Sequence, residues 1–501
     1  MEADLHSAPA GSNGSNKEVV SRKMEKKGTY LHAVVLVALL LGWGLLGRAQ
    51  EGGRETLQIS RTETAVKLDG RLDDPVWKQA AAGGKFSQYF PYDTSLAFSQ
   101  TEVMFCYDDH FLYCAAKMYD SLPGEYVSLS LRRDFVSGNV DAFTLVLDPF
   151  QDKTNGMAFG LNPFGVQREG LVSAGGTTEE NLDLSWDNKW YSAVQVEDSF
   201  WIAELAIPFK TLRFKEGSTR WGMNCYRTDT KSNERSAWSR VPRQFPLHNL
   251  AFTGELLWDE PLGAPGANIS VIPYLAANAS SDFLGEKEEN FGLTGGGDVK
   301  IAVTPSLNLD LTANPDFSQI EVDVQQTNID RFELFFPERR QFFLENADLF
   351  SNFGFSNAQP FFSRRIGVAI DSTSGQNVQN QIIAGARLSG RLDENWRIGL
   401  MNMQTAEDVR LGVPAFNYSV GVVQRQVFDR SNISGIFVNK QNFDEQPVDI
   451  YDKEAGSYSR LAGLDYNLAS ADGKWTGKAR KAMPIPQELT YCTIPEGLEL
   501  P

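Results

Sequence analysis

From Leu307 to Thr312 the chain reads LNLDLT, apolar and polar by turns. The alternation recurs in Ile320–Val324 (IEVDV) and, with few faults, in Tyr458–Leu468 (YSRLAGLDYNL), and Trp396–Leu400 opens another such segment. Successive side chains of a strand point to opposite faces, so each segment folds with one apolar face and one polar or small one. About ten segments of this kind, each roughly ten residues long, are read between Ile269 and Gly477, a pattern shared by membrane barrels and soluble β proteins.

The longest apolar run lies elsewhere. Leu31–Leu46 (LHAVVLVALLLGWGLL) follows a basic stretch containing Lys17, Arg22, Lys23, Lys26 and Lys27, and precedes Gly47-Arg48-Ala49. That order is expected of a secretory signal peptide cut after Ala49, with a signal anchor as the alternative and Met24 as a second possible start. The run is shorter than the roughly 20 residues of a spanning helix. No later segment is apolar enough for one, so a mature chain that enters a membrane must do so as a closed barrel.

With 64 Asp and Glu against 47 Lys and Arg, the formal net charge is −17. Nucleic-acid binding needs clustered positive charge, and no nucleic-acid partner is expected. The cysteines are Cys106, Cys114, Cys225 and Cys492, with no CxxC pair, which argues against a zinc ribbon or thioredoxin-like site. Cys106 and Cys114 flank the turn at Asp108-Asp109-His110 and are either a disulfide or two small core residues. GxSxG, HExxH, GxxxxGK[ST] and GxGxxG are all absent, and two of the four histidines, His6 and His32, lie in the export segment. No catalytic residue, metal or cofactor is assigned on this basis.

Leu57–Trp258 reads as short strands separated by turns. Val103–Tyr107 and Phe111–Ala116 flank a polar turn, Phe143–Leu147 closes on Asp148-Pro149, Trp201–Ile207 ends at Pro208, and Trp221–Tyr226 is a further strand. The pattern predicts a β-sandwich over residues 57–258. Leu68-Asp69-Gly70-Arg71-Leu72-Asp73-Asp74-Pro75-Val76-Trp77 resembles the opening of a family 9 carbohydrate-binding module. The hairpin at Tyr107–Tyr113, the strand Asp141–Asp148 and the segment Trp201–Phe209 follow in that family's order. The resemblance implies saccharide gripped between two tryptophans. The matching positions here fall near Gly138 or Phe135 and near Phe245, none of them Trp. Other candidate carbohydrate-binding aromatics are Trp186, Trp190, Tyr226 and Trp238, either an exposed platform or ordinary core residues.

Glu260–Ala267 (EPLGAPGA) reads as a hinge within a linker over residues 259–267. Beyond it, Asn314–Gln319, Arg331–Asn346 and Pro360–Gly367 closely resemble an uncharacterised bacterial envelope family. In that family a family 9-like module precedes a barrel-like domain of unknown function. The paired Phe, Glu and Arg of these motifs suit either an interfacial girdle or a loop folded into a barrel, with Arg339, Arg340, Arg364 and Arg365 lining it. The tail from Lys478 onward is Pro-rich and reads as aberrant or disordered, which suggests a truncated barrel.

The expectation is an all-β protein. An exported sandwich precedes an antiparallel, truncated outer-membrane barrel over residues 268–477. The expected role is binding, uptake or catabolism of polysaccharide or oligosaccharide at the outer membrane, with membrane lipid as the other partner and the sandwich periplasmic or surface-exposed. The alternatives are a glycoside hydrolase, which would need two carboxylates about 5–9.5 Å apart, and a structural or assembly barrel that binds no sugar. An exposed aromatic platform favours the first role, and burial of all the candidate aromatics favours the last.

Overall fold

The computed structural model describes residues 54–263, 269–281, 289–304, 306–315, 338, 340–354, 359–370, 377–409, 413–428, 430–442, 458–470 and 475–485. The export segment, the Ile320–Val324 strand, Arg331, Arg339 and Cys492 lie outside the described residues. The fold is all-β, with a few short helices and no helix long and apolar enough to cross a membrane among the described residues.

The first strand, Thr56–Arg61, joins two layers of a sandwich. Its beginning pairs in parallel with Gly254–Trp258, and its last two residues pair with Thr101–Tyr107. One layer continues through Phe111–Tyr119 to Phe200–Pro208 and Tyr191–Val196. The other runs from Gly254–Trp258 through Arg220–Asp229, Ala142–Asp148 and Gly156–Leu161 to Gln167–Val172. Between them lies an apolar core in which Tyr107 and Trp221 both pack edge-on against Trp258, each with ring centroids 4.8 Å away.

The 101–119 hairpin shows how sequence sets the layers. The Asp108 carboxylate accepts from the backbone N–H groups of His110 and Phe111, each at 2.7 Å, and closes the turn. Val103, Phe105 and Tyr107 then face the core, while Met104 and Cys106 face outward under Trp77 of the short helix Pro75–Gln79. Cys106 and Cys114 therefore sit on opposite faces, and Cys106, Cys114 and Cys225 are free, buried thiols.

The LDGRLDDPVW motif has a structural explanation. Glu204, fully buried, accepts from Gly70 N at 2.7 Å, Asp69 N at 3.1 Å and Trp77 Nε1 at 2.9 Å. Gly70 has φ of 79°, and a Cβ there would lie 2.7 Å from the backbone nitrogen of Gln195. The motif straps the N-terminal segment to the outer face of the sandwich.

From Ile269 the chain forms a nine-stranded antiparallel meander: Ile269–Ser281, Glu289–Thr304, Leu307–Ala313, Ile382–Arg391, Trp396–Thr405, Phe416–Val427, Ser431–Asn442, Tyr458–Ala469 and Thr476–Ile485. The last strand corrects the expectation that structure stops at Gly477. Lys478–Ile485 pairs residue for residue with the preceding strand, and Lys478 pairs with Asp465 at 3.5 Å. A strand with one neighbour tolerates charges and Pro484, since half its backbone groups need no partner in the sheet. The first and last strands each have one neighbour among the described residues.

Candidate functional site

The aromatic candidates are core residues, which corrects the expectation of a platform. Trp186, Trp190, Tyr226 and Trp238 are each about 4% exposed. Trp186 and Trp190 both stand edge-on to Phe159, at 6.1 and 5.5 Å, and the indole N–H of Trp190 donates to buried Glu169 at 3.1 Å. Trp238 fills a slot where Cβ atoms on Gly83 and Gly254 would come within 2.9 and 2.6 Å of its ring. Tyr226 lies in a second apolar cluster with Val146 and Leu250. Phe135 is likewise buried, and Phe245 is half-buried against Phe252 at 4.9 Å. None of the buried rings offers a face on which a sugar could stack.

The nine-stranded sheet distributes polarity the opposite way. Asn308, Asp310 and Thr312 are buried, while Leu311 between the last two is 38% exposed. Asp465 is 4% exposed and its neighbour Leu464 is 63% exposed. Val271, Leu275, Phe291, Leu293, Leu400, Phe437 and Met483 extend this outward apolar face over most of the strands. Trp396, Phe428 and Trp475 are exposed where the strands turn at one end.

The inner face holds charges and a folded insert. Arg387 donates to Asp310 through Nε at 3.1 Å and through a second nitrogen at 2.8 Å, and both side chains are almost fully buried. Between the third and fourth strands, Gln341–Leu344 and Asp348–Ser351 form short helices. Phe342, Phe343 and Phe350 from this insert pack against Met401, Met403, Val422 and Ile436 of the sheet. Gly399 makes room for Phe350, since a Cβ there would lie 2.7 Å from that ring. Asp348 receives two bonds from Arg397, at 2.6 and 3.0 Å. Arg340 is buried, with Glu338 at 2.8 Å and the carbonyls of Ser363 and Ile366 each at 2.8 Å. Burial alone would raise the Glu338 carboxyl, but its bonds to and the charge of Arg340 bring it below the usual range. Arg364 is buried and Arg365 exposed. The described helices of the insert thus pack on the face of the sheet opposite its exposed apolar residues.

One end of the sheet meets the sandwich. At that end the strands join by short turns, between Thr304 and Leu307, Arg391 and Trp396, and Val427 and Ser431. The connections at the other end include the insert from Ala313 to Ile382 and the link from Asn442 to Tyr458. Asp152 pairs with Arg391, and Lys215 with Glu394. Glu345 of the insert lies 3.1 Å from Lys300 of the sheet and 3.7 Å from Arg213 of the sandwich. Burial would raise this carboxyl, but the charges of Lys300 and Arg213 outweigh it and hold the group down at about 2.

Beside Glu345 a cavity of about 400 Å³ opens between sandwich, insert and sheet. Arg133, Lys189, Lys210, Arg213 and Lys300 line it, against the carboxylates Asp187 and Glu345. A neighbouring cavity of about 750 Å³ shares Asn188, Lys189, Lys210 and Ser270 with it and adds the rings of Phe111 and Tyr191. Those rings stand edge to face at 6.0 Å, and Tyr191 is 41% exposed. The two cavities form one cleft, whose aromatic end also carries the carboxylates of Asp108, Asp109 and Glu260 beside Arg61. Composition gave no sign of it, because its residues come from several distant segments.

The family described as a domain of unknown function, DUF5916, matches residues 265–445. No curated protein matches the chain. Among solved structures, a family 9 carbohydrate-binding module from Caldicellulosiruptor kristjanssonii is similar at 13% identity, both in complex with cellotriose and in complex with glucose. The match covers 41% of this chain, with 94% and 96% of those chains and TM-scores of 0.31 and 0.30. A Bacteroides uniformis protein described provisionally as carbohydrate-binding is also 13% identical, with 41% of this chain and all of that one covered and a TM-score of 0.33.

Proposed function

We propose that this chain is an outer-membrane protein. In this reading the nine-stranded sheet is the lipid-facing wall of a barrel, the insert plugs it, and the sandwich sits at its periplasmic mouth to meet oligosaccharide. The observation that carries the reading is the polarity of the sheet, with Leu311 and Leu464 outward and Asp310 and Asp465 inward. Soluble proteins rarely expose an apolar surface spread over so many strands, and outward apolar with inward polar residues is the arrangement lipid demands. The exposed Trp396, Phe428 and Trp475 at one strand end suit an interfacial aromatic belt.

The turns supply the orientation. Outer-membrane barrels carry short turns on the periplasmic side and longer loops outside. The sandwich contacts the short-turn end through Arg391 and Glu394, and this contact is what supports a periplasmic sandwich in the proposed orientation.

Burial of the four candidate aromatics favours, by itself, a sandwich that serves only as a structural partner of the sheet. What supports a ligand-handling role is the cleft, where exposed Tyr191 adjoins hydrogen-bonding and charged groups.

Cysteine labelling in cells tests the arrangement. Starting from Cys492→Ser, Val409→Cys on the long-loop side reacts with a membrane-impermeant maleimide in intact cells. Asp198→Cys on the sandwich reacts only after the outer membrane is permeabilised. Recovery of the protein in the soluble periplasmic fraction, or the reverse labelling pattern, contradicts the proposal.

A further inference from the structure

We infer that Asp148 and Asp152 form a proton-dependent latch between the sandwich and the nine-stranded sheet, closed while the pair shares one proton and opened when both carboxyl groups ionise. The inference goes beyond the proposed function and depends neither on the membrane location nor on a ligand. Asp148 ends the strand Ala142–Asp148 and is fully buried, and Asp152 in the turn that follows is nearly so. The Asp148 carboxylate accepts from the backbone N–H groups of Asp152 at 3.3 Å and Lys153 at 2.8 Å, which sets the two carboxyl groups one turn apart. Asp152 accepts from Thr154 N at 2.7 Å, from Asn155 N at 2.8 Å and from Arg391 across the junction. Arg391 ends the sheet's fourth strand, its guanidinium lies 5.1 Å from the centre of the Phe150 ring, and it donates to the Glu394 carbonyl at 3.1 Å. The turn that holds the acid pair therefore also makes one of the sandwich's bonds to the sheet.

Two carboxyl groups enclosed together resist ionising at the same time. Arg391, Arg397 and Arg430 of the sheet line a small cavity with Asp152, and a larger one beside it is lined by Lys215 and Arg220 of the sandwich and by Asp393 and Glu394 of the sheet. Arg397 gives two bonds to Asp348, Lys215 pairs with Glu394, Arg220 lies 3.5 Å from Glu255, and Arg430 packs against Gly175 of the sandwich. Burial and the charge of Asp152 push the Asp148 carboxyl up to about 8. Burial would raise Asp152 too, but the charge of Arg391 outweighs it and brings that group below the usual range. A carboxyl at about 8 in the closed turn, and near 4 once exposed, penalises the closed turn further with each pH unit in between and no further above about 8. Rising pH therefore favours exposing the turn, and exposure takes Asp152 away from Arg391. Glu345 contributes nothing in this window, because its lowered value keeps it ionised throughout.

The test is hydrogen exchange of the purified full chain, read by mass spectrometry over residues 149–155 and corrected for the intrinsic pH dependence of exchange. Protection of this segment is expected to fall by about tenfold or more between about pH 6 and pH 8 and to level off above that. Asp148→Asn, neutral at every pH, keeps the segment protected across the range, and Arg391→Gln lowers its protection at every pH. Infrared difference spectra of the unsubstituted protein add a readout that needs no variant to fold: a protonated-carboxyl band is lost as pH passes through about 8. Protection in the unsubstituted protein that stays constant or rises with pH overturns the inference. So does the same pH dependence in Asp148→Asn, full protection in Arg391→Gln, or the absence of a carboxyl band titrating in that range.

Discussion

At Glu345 the sandwich, the insert and the sheet meet in one carboxylate. Its folded value of about 2 is below the roughly 4.3 of an unperturbed glutamate. A depressed carboxyl stabilises the fold fully above its unfolded value, and that contribution is lost as pH falls through the folded one. The denaturation midpoint of the detergent-solubilised protein is therefore expected to fall as pH drops below the unperturbed glutamate range and through the lowered folded value. Glu345→Gln removes that part of the dependence and lowers stability at neutral pH. A midpoint whose pH profile is the same in both proteins contradicts the assignment. The tryptophans give a second expectation at this scale. Trp186→Ala and Trp238→Ala should each cost about 3–5 kcal/mol in a denaturant titration, as truncations in a packed core do. The spacing of Trp186 and Trp190 fits a platform and a core equally well. What decides between them is Phe159 beneath that pair, and for Trp238 the room left by Gly83 and Gly254, contacts made across long sequence separations.

The elements themselves were written more openly. Alternation in Leu307–Thr312 and Tyr458–Leu468 marks strands, and the polar hairpin turn at Asp108 marks a connection, because period and turn chemistry are local. Alternation does not say which face turns inward. In the third strand of the meander the polar face is the buried one, because Asp310 finds Arg387 across the neighbouring strand. That ion pair sets an expectation for the sheet. Asp310→Ala or Arg387→Ala alone leaves a buried charge unpartnered and costs about 3–5 kcal/mol, whereas the double variant costs much less than the sum. A double-mutant cycle by denaturant titration measures the coupling, and strict additivity of the two losses contradicts it. The same limit explains the last strand. The composition of Lys478–Ile485 reads as irregular, yet its position at the sheet margin and its pairing with the preceding strand admit charges and proline.

For the whole molecule, two β units are joined at one end of the second by ion pairs from Asp152, Lys215 and Arg213. The all-β class was legible because both halves carry strand patterns. The place of the insert's short helices on the polar face of the sheet was not, since their packing depends on Gly399 and on Arg397, both far along the chain from the phenylalanine motif. The cleft was invisible for the same reason. The central claim is that the apolar face of the nine-stranded sheet meets lipid. It is tested by nitroxide labels placed one at a time at Val271, Leu311 and Leu464, with Thr312 and Asp465 as inward controls, in protein reconstituted into bilayers. The account predicts that the three outward labels collide readily with oxygen and poorly with a water-soluble nickel chelate, while the inward labels collide poorly with oxygen. Outward labels that are readily reached by the nickel chelate would mean that this face is wet, and would contradict a sheet that spans a membrane.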